Sequence, residues 1–234
     1  SALVFKGASK ILEGQKGLLG ALNPQADLTA LTRGLEKGNY KIMTNSFKPY
    51  ACCRHIHSAN YGMFLLKNEQ AIDPERVVRI VDRTYQVAKN TADIAEPGTD
   101  YAYKFSIQYC LAAMLLYGDL MGDAFSTGKT HDPAAKRLMD KVEVVVDETL
   151  QQAYAADPTK WAHALEVYLD DGTVLKKLVE YPLGDFKNPF PWEIEDQKFL
   201  RITQGKIPTW QAERLMGNIR SVERLEDVNE LFLL

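Results

Sequence analysis

The chain has 234 residues, 46% hydrophobic and 25% charged, with a formal net charge of -3 at neutral pH. That length holds one large domain or two small ones with a real core, and the composition is ordinary for a globular protein. Near-balanced charge argues against general nucleic-acid binding, which needs a basic face, and no apolar run approaches the ~20 residues of a membrane span.

Residues 1–22 begin in mid-pattern. They read as the tail of one helix, a glycine-punctuated turn and a short apolar helix, as if the chain were entered partway through a domain. Lys6, Lys10, Glu13 and Lys16 interrupt this segment, so it does not read as a signal peptide, and a cytoplasmic location is expected. A helix is expected from Asp27 to Glu36, capped by Asp27 or Asn23. Tyr40 to Thr44 alternates weakly and predicts a strand. Pro49 then disfavours helix at Lys48, which places that lysine on extended backbone ahead of a helix over Cys52 to Lys67. On that helix Ile56, Ala59, Met63 and Phe64 supply a buried stripe. Cys53, Arg54, His57 and Tyr61 follow at three- and four-residue steps on another face, so Lys48, Arg54 and His57 are expected to converge near the first turn.

Arg76 to Tyr85 alternates apolar and polar and predicts a half-buried strand. Asn90 to Gly98 reads as loop, and Tyr101 to Leu116 as a central, mostly apolar helix ending at Gly118. A helix over Asp132 to Lys141 carries proline at its first position. A strand over Val142 to Asp147 follows. Ala162 to Leu169 and Thr173 to Tyr181 predict a hairpin about the turn Asp170-Asp171-Gly172. After Pro182 the texture becomes linker-like, then helical over Trp192 to Ile202, Thr209 to Arg220 and Leu225 to Leu234. Roughly five strands and three helices define an α+β fold class for the middle of the chain, set within helical ends.

The stretch richest in chemistry is Phe47 to His57, Phe-Lys-Pro-Tyr-Ala-Cys-Cys-Arg-His-Ile-His. It lies inside a longer window, Lys37 to Lys67, that lacks Asp and Glu but holds Lys37, Lys41, Lys48, Arg54 and Lys67. Random placement of the chain's 31 acids would put about four in that window. A local cationic patch on a nearly neutral protein suits a small anion, and helix N–H groups add positive potential there. Cys52 and Cys53 with His55 and His57 lack the spaced pairs of a zinc site, so no metal is expected. The three cysteines, Cys110 included, read as buried free thiols. Gly128-Lys129-Thr130 copies the end of a phosphate-binding loop, but the upstream Gly122 is one residue out of place and a helix, not a strand, precedes it.

Four stretches resemble the MmgE/PrpD family, whose members include 2-methylcitrate dehydratases, cis-aconitate decarboxylases and an iminodisuccinate epimerase. They are Ile11 to Leu19, Lys48 to His57, Phe105 to Ala113 and Gly184 to Glu193. The resemblance implies a large helical domain with a smaller α+β lid inserted near its C-terminal end. On that pattern residues 1–39 are a remnant of the helical domain, 40–183 the lid and 184–234 helices returning to the helical domain. Members are about twice this length, so the chain looks like a C-terminal portion whose missing half supplies much of the acid–base machinery.

The resemblance further implies that Lys48 contacts a substrate carboxylate and that Tyr109 faces the substrate from the central helix. His57 joins Tyr109 as a catalytic candidate. Arg54, with no acid within one helical turn, is a second carboxylate clamp, and Ser106 a ligand donor or a local cap. Ala51 stands where relatives often carry proline. The expected ligand is a small di- or tricarboxylate, with no cofactor, no nucleic acid and no membrane. The missing helical half is the expected partner, and a homo-oligomer is left open. A non-catalytic anion-binding or interaction module is the alternative from another class.

Overall fold

The structure is a computed structural model that describes residues 10–12, 14, 17–22, 25, 27–38 and 40–232. The expected opening helix tail over residues 1–9 and the alternative cap Asn23 lie outside the described residues. The chain divides into two compact units, Ser1–Asn45 and Ser46–Leu234.

In the first unit, α1 spans Leu18–Leu22. In place of one helix over Asp27 to Glu36 there are two 3-10 turns, Leu28–Leu31 and Leu35–Lys37, the second entered from Gly34 at φ 87°. Asp27 does cap the first, accepting from the Thr29 N–H. The strand expected at Tyr40 to Thr44 is a 3-10 turn, Lys41–Thr44. All of these side chains are exposed, so no half-buried face selects extended backbone.

The second unit is built on a four-stranded sheet in the order β2-β1-β3-β4, with β1 Val77–Thr84, β2 Val142–Val146, β3 His163–Leu169 and β4 Val174–Val179. Thus four strands form among the described residues, not five. β1 runs parallel to β2 and antiparallel to β3, and β3–β4 is the hairpin expected about Asp170-Asp171-Gly172, with Gly172 at φ 85°. The two-residue period sorts the faces. Ile80, Val144, Leu165, Val167 and Leu175 point inward, while Arg79–Glu143 and the group Arg83, Glu166 and Lys176 form ion pairs on the outer face. Asp82 breaks the rule: it lies between Ile80 and Thr84 on the inner face, with 0% exposure.

Two helices cover that inner face. α2, His57–Glu69, packs on β3 and β4, and α4, Ile107–Tyr117, packs against α2 and β2. α2 starts later than Cys52 because a separate 3-10 turn, Arg54–Ile56, precedes it. α4 likewise does not reach back to Tyr101. Ser106 takes extended backbone and caps it, closing off a 3-10 turn at Ala102–Phe105. Every residue from Ile107 to Leu115 is buried, and Gly118 ends the helix in the left-handed conformation. At about 2 kcal/mol for each fully buried large aliphatic side chain, Ile107, Leu111 and Leu115 make α4 the centre of the core.

The remaining helices lie around this centre. α3, Gln86–Ala92, occupies part of the expected loop, and α5 is the short Thr127–Thr130. α6, Pro133–Met139, starts on the expected Asp132-Pro133 cap. α7, Glu148–Ala156, was not anticipated, although Asp147 caps it by accepting from Thr149 and Leu150 N–H groups. α8, Trp192–Thr203, and α9, Thr209–Arg220, match the reading, whereas the described part of the expected last helix, Leu225 to Leu234, holds one 3-10 turn, Val228–Phe232, with another at Val222–Arg224 before it. No helix among the described residues is long and apolar enough to cross a membrane.

Candidate active site

The basic stretch forms an elbow between Ser46 and the start of α2, tied to the rest of the unit through its backbone. The Phe47 N–H donates to the Gly184 carbonyl at 2.8 Å, Ala51 N–H to Leu120 at 2.9 Å and Cys53 N–H to Lys104 at 2.8 Å. Gly184 sits at φ 85°, and a Cβ there would stand 2.3 Å from the Phe47 carbonyl oxygen. Only glycine permits that approach.

Lys48 and His57 do converge, on one acceptor. Lys48 Nζ donates to the Cys52 carbonyl at 3.2 Å, and His57 Nε2 lies 3.3 Å from the same oxygen. A carbonyl only accepts, so Nε2 carries a proton towards it. Nδ1 of the same ring is buried without a partner, as are Ser58 Oγ and Asn60 Oδ1 nearby on α2. Lys48 is exposed, whereas His57 has 0% exposure and packs its ring 5.2 Å from that of Tyr50.

Asn60 Nδ2 donates to Cys52 Sγ at 3.4 Å. Burial pushes the Cys52 thiol up, but hydrogen bonds from Cys110 and His57 and the charges of His57 and Lys48 outweigh it, bringing it from 9.0 to about 6. Cys110, buried beside it, is pushed well up. Cys52 and Cys110 are buried free thiols within the core, as expected, while Cys53 is half-buried. Among the described residues no three His, Cys, Asp or Glu side chains group as metal ligands would.

Arg54 turns away from Lys48. Its guanidinium pairs with Asp185 at 3.0 Å, both side chains largely buried, and lies 5.8 Å from the Trp161 ring centre. Asp185 also accepts from Ser46 Oγ at 2.9 Å and from the Lys187 N–H at 3.0 Å. The acid absent from Arg54's own helical turn therefore arrives from 131 residues downstream. Its sequence signal was only the linker-like Gly184-Asp185.

Tyr109 and Ser106 lie on α4, both at 0% exposure. The Tyr109 hydroxyl donates to the Ala124 carbonyl, its ring meets Tyr103 edge-on at 4.9 Å, and burial, then neighbouring ionisable groups, push its phenol up. Ser106 Oγ accepts from the Tyr109 N–H at 3.1 Å and donates to Ile94 at 2.7 Å, which makes it the local cap. The elbow thus brings together Lys48, His57 and Cys52. Arg54 faces a second direction, and Tyr109 and Ser106 stand behind in the core. His163, on β3, is paired with Asp82 on β1. The available signal was a carboxylate at an inward position of a strand.

The class that the structure defines is an α+β unit with a cationic elbow at the entry to one core helix. The comparisons give the family. Residues 50–223 match the MmgE/PrpD C-terminal domain, and the chain belongs to that family. It is 35% identical to a 2-methylcitrate dehydratase of Cupriavidus necator, over 73% of this chain and 36% of that protein. It is 31% identical to the mitochondrial 2-methylcitrate dehydratase of Yarrowia lipolytica, over 60% of this chain and 28% of that one. It is 22% identical to the cis-aconitate decarboxylase-like protein oryM of Aspergillus oryzae, over 90% of this chain and 43% of the relative. The chain thus spans less than half the length of these relatives.

Proposed function

We propose that this chain is the carboxylate-anchoring C-terminal portion of a cofactor-independent lyase acting on a di- or tricarboxylate, of the 2-methylcitrate dehydratase type. The observation that carries the reading is the elbow itself: an exposed Lys48 on a backbone fixed at three points, within a window free of acids. Removing a proton next to a carboxylate builds negative charge on a group that already bears it. Fixed cations around the carboxylates relieve this, with a base on the other side of the substrate.

In this reading Lys48 anchors one carboxylate and Arg54 exchanges part of its Asp185 pairing for another. Tyr109 and His57, buried behind the elbow, serve the proton transfers, and Ser106 orients Tyr109 from its cap. A helical half of the kind that resemblance implies supplies the remaining acid–base groups, and the α+β unit acts as its lid, excluding water on closure. The names of the relatives support dehydration first. The cis-aconitate decarboxylase-like relative, aligned over 90% of the chain, supports decarboxylation as the second reading.

The test is turnover of 2-methylcitrate and of cis-aconitate by the chain alone and with a helical half supplied. The chain alone is expected to be inactive and the combination active, with Lys48→Ala lowering kcat/KM by at least 100-fold. A normal rate for Lys48→Ala would make the elbow scaffolding, and an inactive combination would leave the non-catalytic anion-binding or interaction module as the reading.

A further inference from the structure

We propose that the buried Asp82–His163 pair is a positioning device that holds the elbow through the His55 carbonyl. This role rests on the carboxylate-anchoring reading of the elbow, but its geometry stands apart from it. His163 Nδ1 lies 2.9 Å from both carboxylate oxygens of Asp82, and both side chains have 0% exposure. The other ring nitrogen, Nε2, lies 2.7 Å from the His55 carbonyl oxygen and 3.1 Å from Thr84 Oγ1. The Thr84 hydroxyl gives its proton to the Ala162 carbonyl at 3.1 Å, so towards Nε2 it offers a lone pair.

Both ring nitrogens therefore face acceptors. A neutral imidazole has one N–H and would set a lone pair against oxygen on one side. Two protons between the carboxylate and the ring satisfy every contact. Imidazolium is the weaker acid of the two ordinarily, so both protons belong on the ring and Asp82 carries the charge. Burial first, and then the neighbouring His163, hold the His55 imidazole down. Its ring, kept neutral, stacks on Trp161 at 4.5 Å and takes Nδ1 to the Tyr85 hydroxyl at 2.7 Å.

The charge matters because of where the held carbonyl lies. His55 follows Arg54 directly and precedes His57 by two residues, in the 3-10 turn that sets the direction of α2. A charged donor to a backbone carbonyl in a dry core is stronger than a neutral one. Anchored from the sheet at His55 and from Leu120 and Lys104 at Ala51 and Cys53, the elbow presents its cations without further ordering when an anion arrives.

The test uses nitrogen NMR on the labelled chain, followed by kinetics with the helical half supplied. Both ring nitrogens of His163 are expected to be protonated; a single N–H would overturn the proposal. Asp82→Asn keeps the shape but leaves the ring neutral. It is expected to shift the Trp161 indole N–H resonance, which reports on the His55 stack, and to raise KM for 2-methylcitrate at least tenfold with kcat within about twofold. That split marks lost uniform binding, not lost chemistry. An unmoved Trp161 signal, an unchanged KM, or a collapse of kcat alone would each refute it. Should Asp82→Asn not fold, the double variant Asp82→Asn/His163→Gln leaves no buried charge unpaired and carries the same readouts. Failure of the wild-type combination to turn over any carboxylate would refute the proposed function, while the ring and indole resonances still decide the positioning role.

Discussion

Two glycines with the same backbone angle make a controlled experiment. Gly172 and Gly184 both sit at φ 85°, so alanine at either position meets the same left-handed cost, about 1 kcal/mol. Restricting the unfolded chain returns roughly half of that. At Gly172 nothing lies within 4 Å of an added Cβ, and the net loss is expected to be about 0.5–1 kcal/mol. At Gly184 the Cβ would meet the Phe47 oxygen at 2.3 Å and the Phe190 ring at 2.6 Å. The ring can turn aside, but the carbonyl belongs to the elbow backbone and takes a hydrogen bond from Arg54 at 3.4 Å. Overpacking adds about 1–3 kcal/mol, so Gly184→Ala is expected to lose about 1.5–4 in all. Urea denaturation of wild type and both variants measures the two losses, with equal m-values as the condition for comparing midpoints. If the variants agree within about 0.5 kcal/mol, the close approach at Gly184 has no energetic consequence, and the claim that it fixes the elbow is wrong.

Arg54→Ala leaves Asp185 largely buried without its cation. Ser46 and Lys187 still donate to that carboxylate, so a loss of about 2–3 kcal/mol in thermal or urea unfolding is expected, with Arg54→Lys recovering part. Tyr109→Phe removes a buried hydroxyl from the Ala124 carbonyl and should cost about 1–2 kcal/mol of stability. If activity in the assembled enzyme is unaffected by that change, Tyr109 is structural. Cys52 is lowered in the folded state to about 6 from an ordinary 9.0, so its thiolate stabilises the fold. That contribution is complete above about 9 and is lost as pH falls through about 6. Wild-type stability relative to Cys52→Ser should therefore rise across this window, and ultraviolet thiolate titration should follow the same curve; a flat difference would contradict it.

Local signals carried the sequence reading where one residue type settles a conformation. Asp132-Pro133 opened α6, Gly118 closed α4, and Asp171-Gly172 turned the hairpin, because each rests on a backbone property that tertiary packing does not override. The reading failed where the deciding partner was distant. Tyr40 to Thr44 alternates without a neighbouring strand to make the alternation useful. At Ser106 only the boundary was missed: of the two roles read for it, ligand donor or local cap, it takes the cap, and the helix begins after it and not at Tyr101. Lys48 and His57 were legible as neighbours because ten residues bracket a proline and a helix start. The partner of Arg54 was not, since no spacing rule reaches from Arg54 to Asp185. Nor could any rule join Asp82 to His163 before β1 was known to pair with β3.

That pairing has a bearing on how the chain is made. β1 ends at Thr84 and β3 begins at His163, so during synthesis the sheet's centre stays open on one side for 79 residues. At ribosomal speeds of about 5–20 residues per second this is on the order of 4–16 seconds. Throughout it a buried-to-be carboxylate at Asp82 remains hydrated on the strand's inward face, opposite the one that carries Arg79 and Arg83. The same aspartate that later seats the histidine therefore keeps that inward face from being uniformly apolar while it waits.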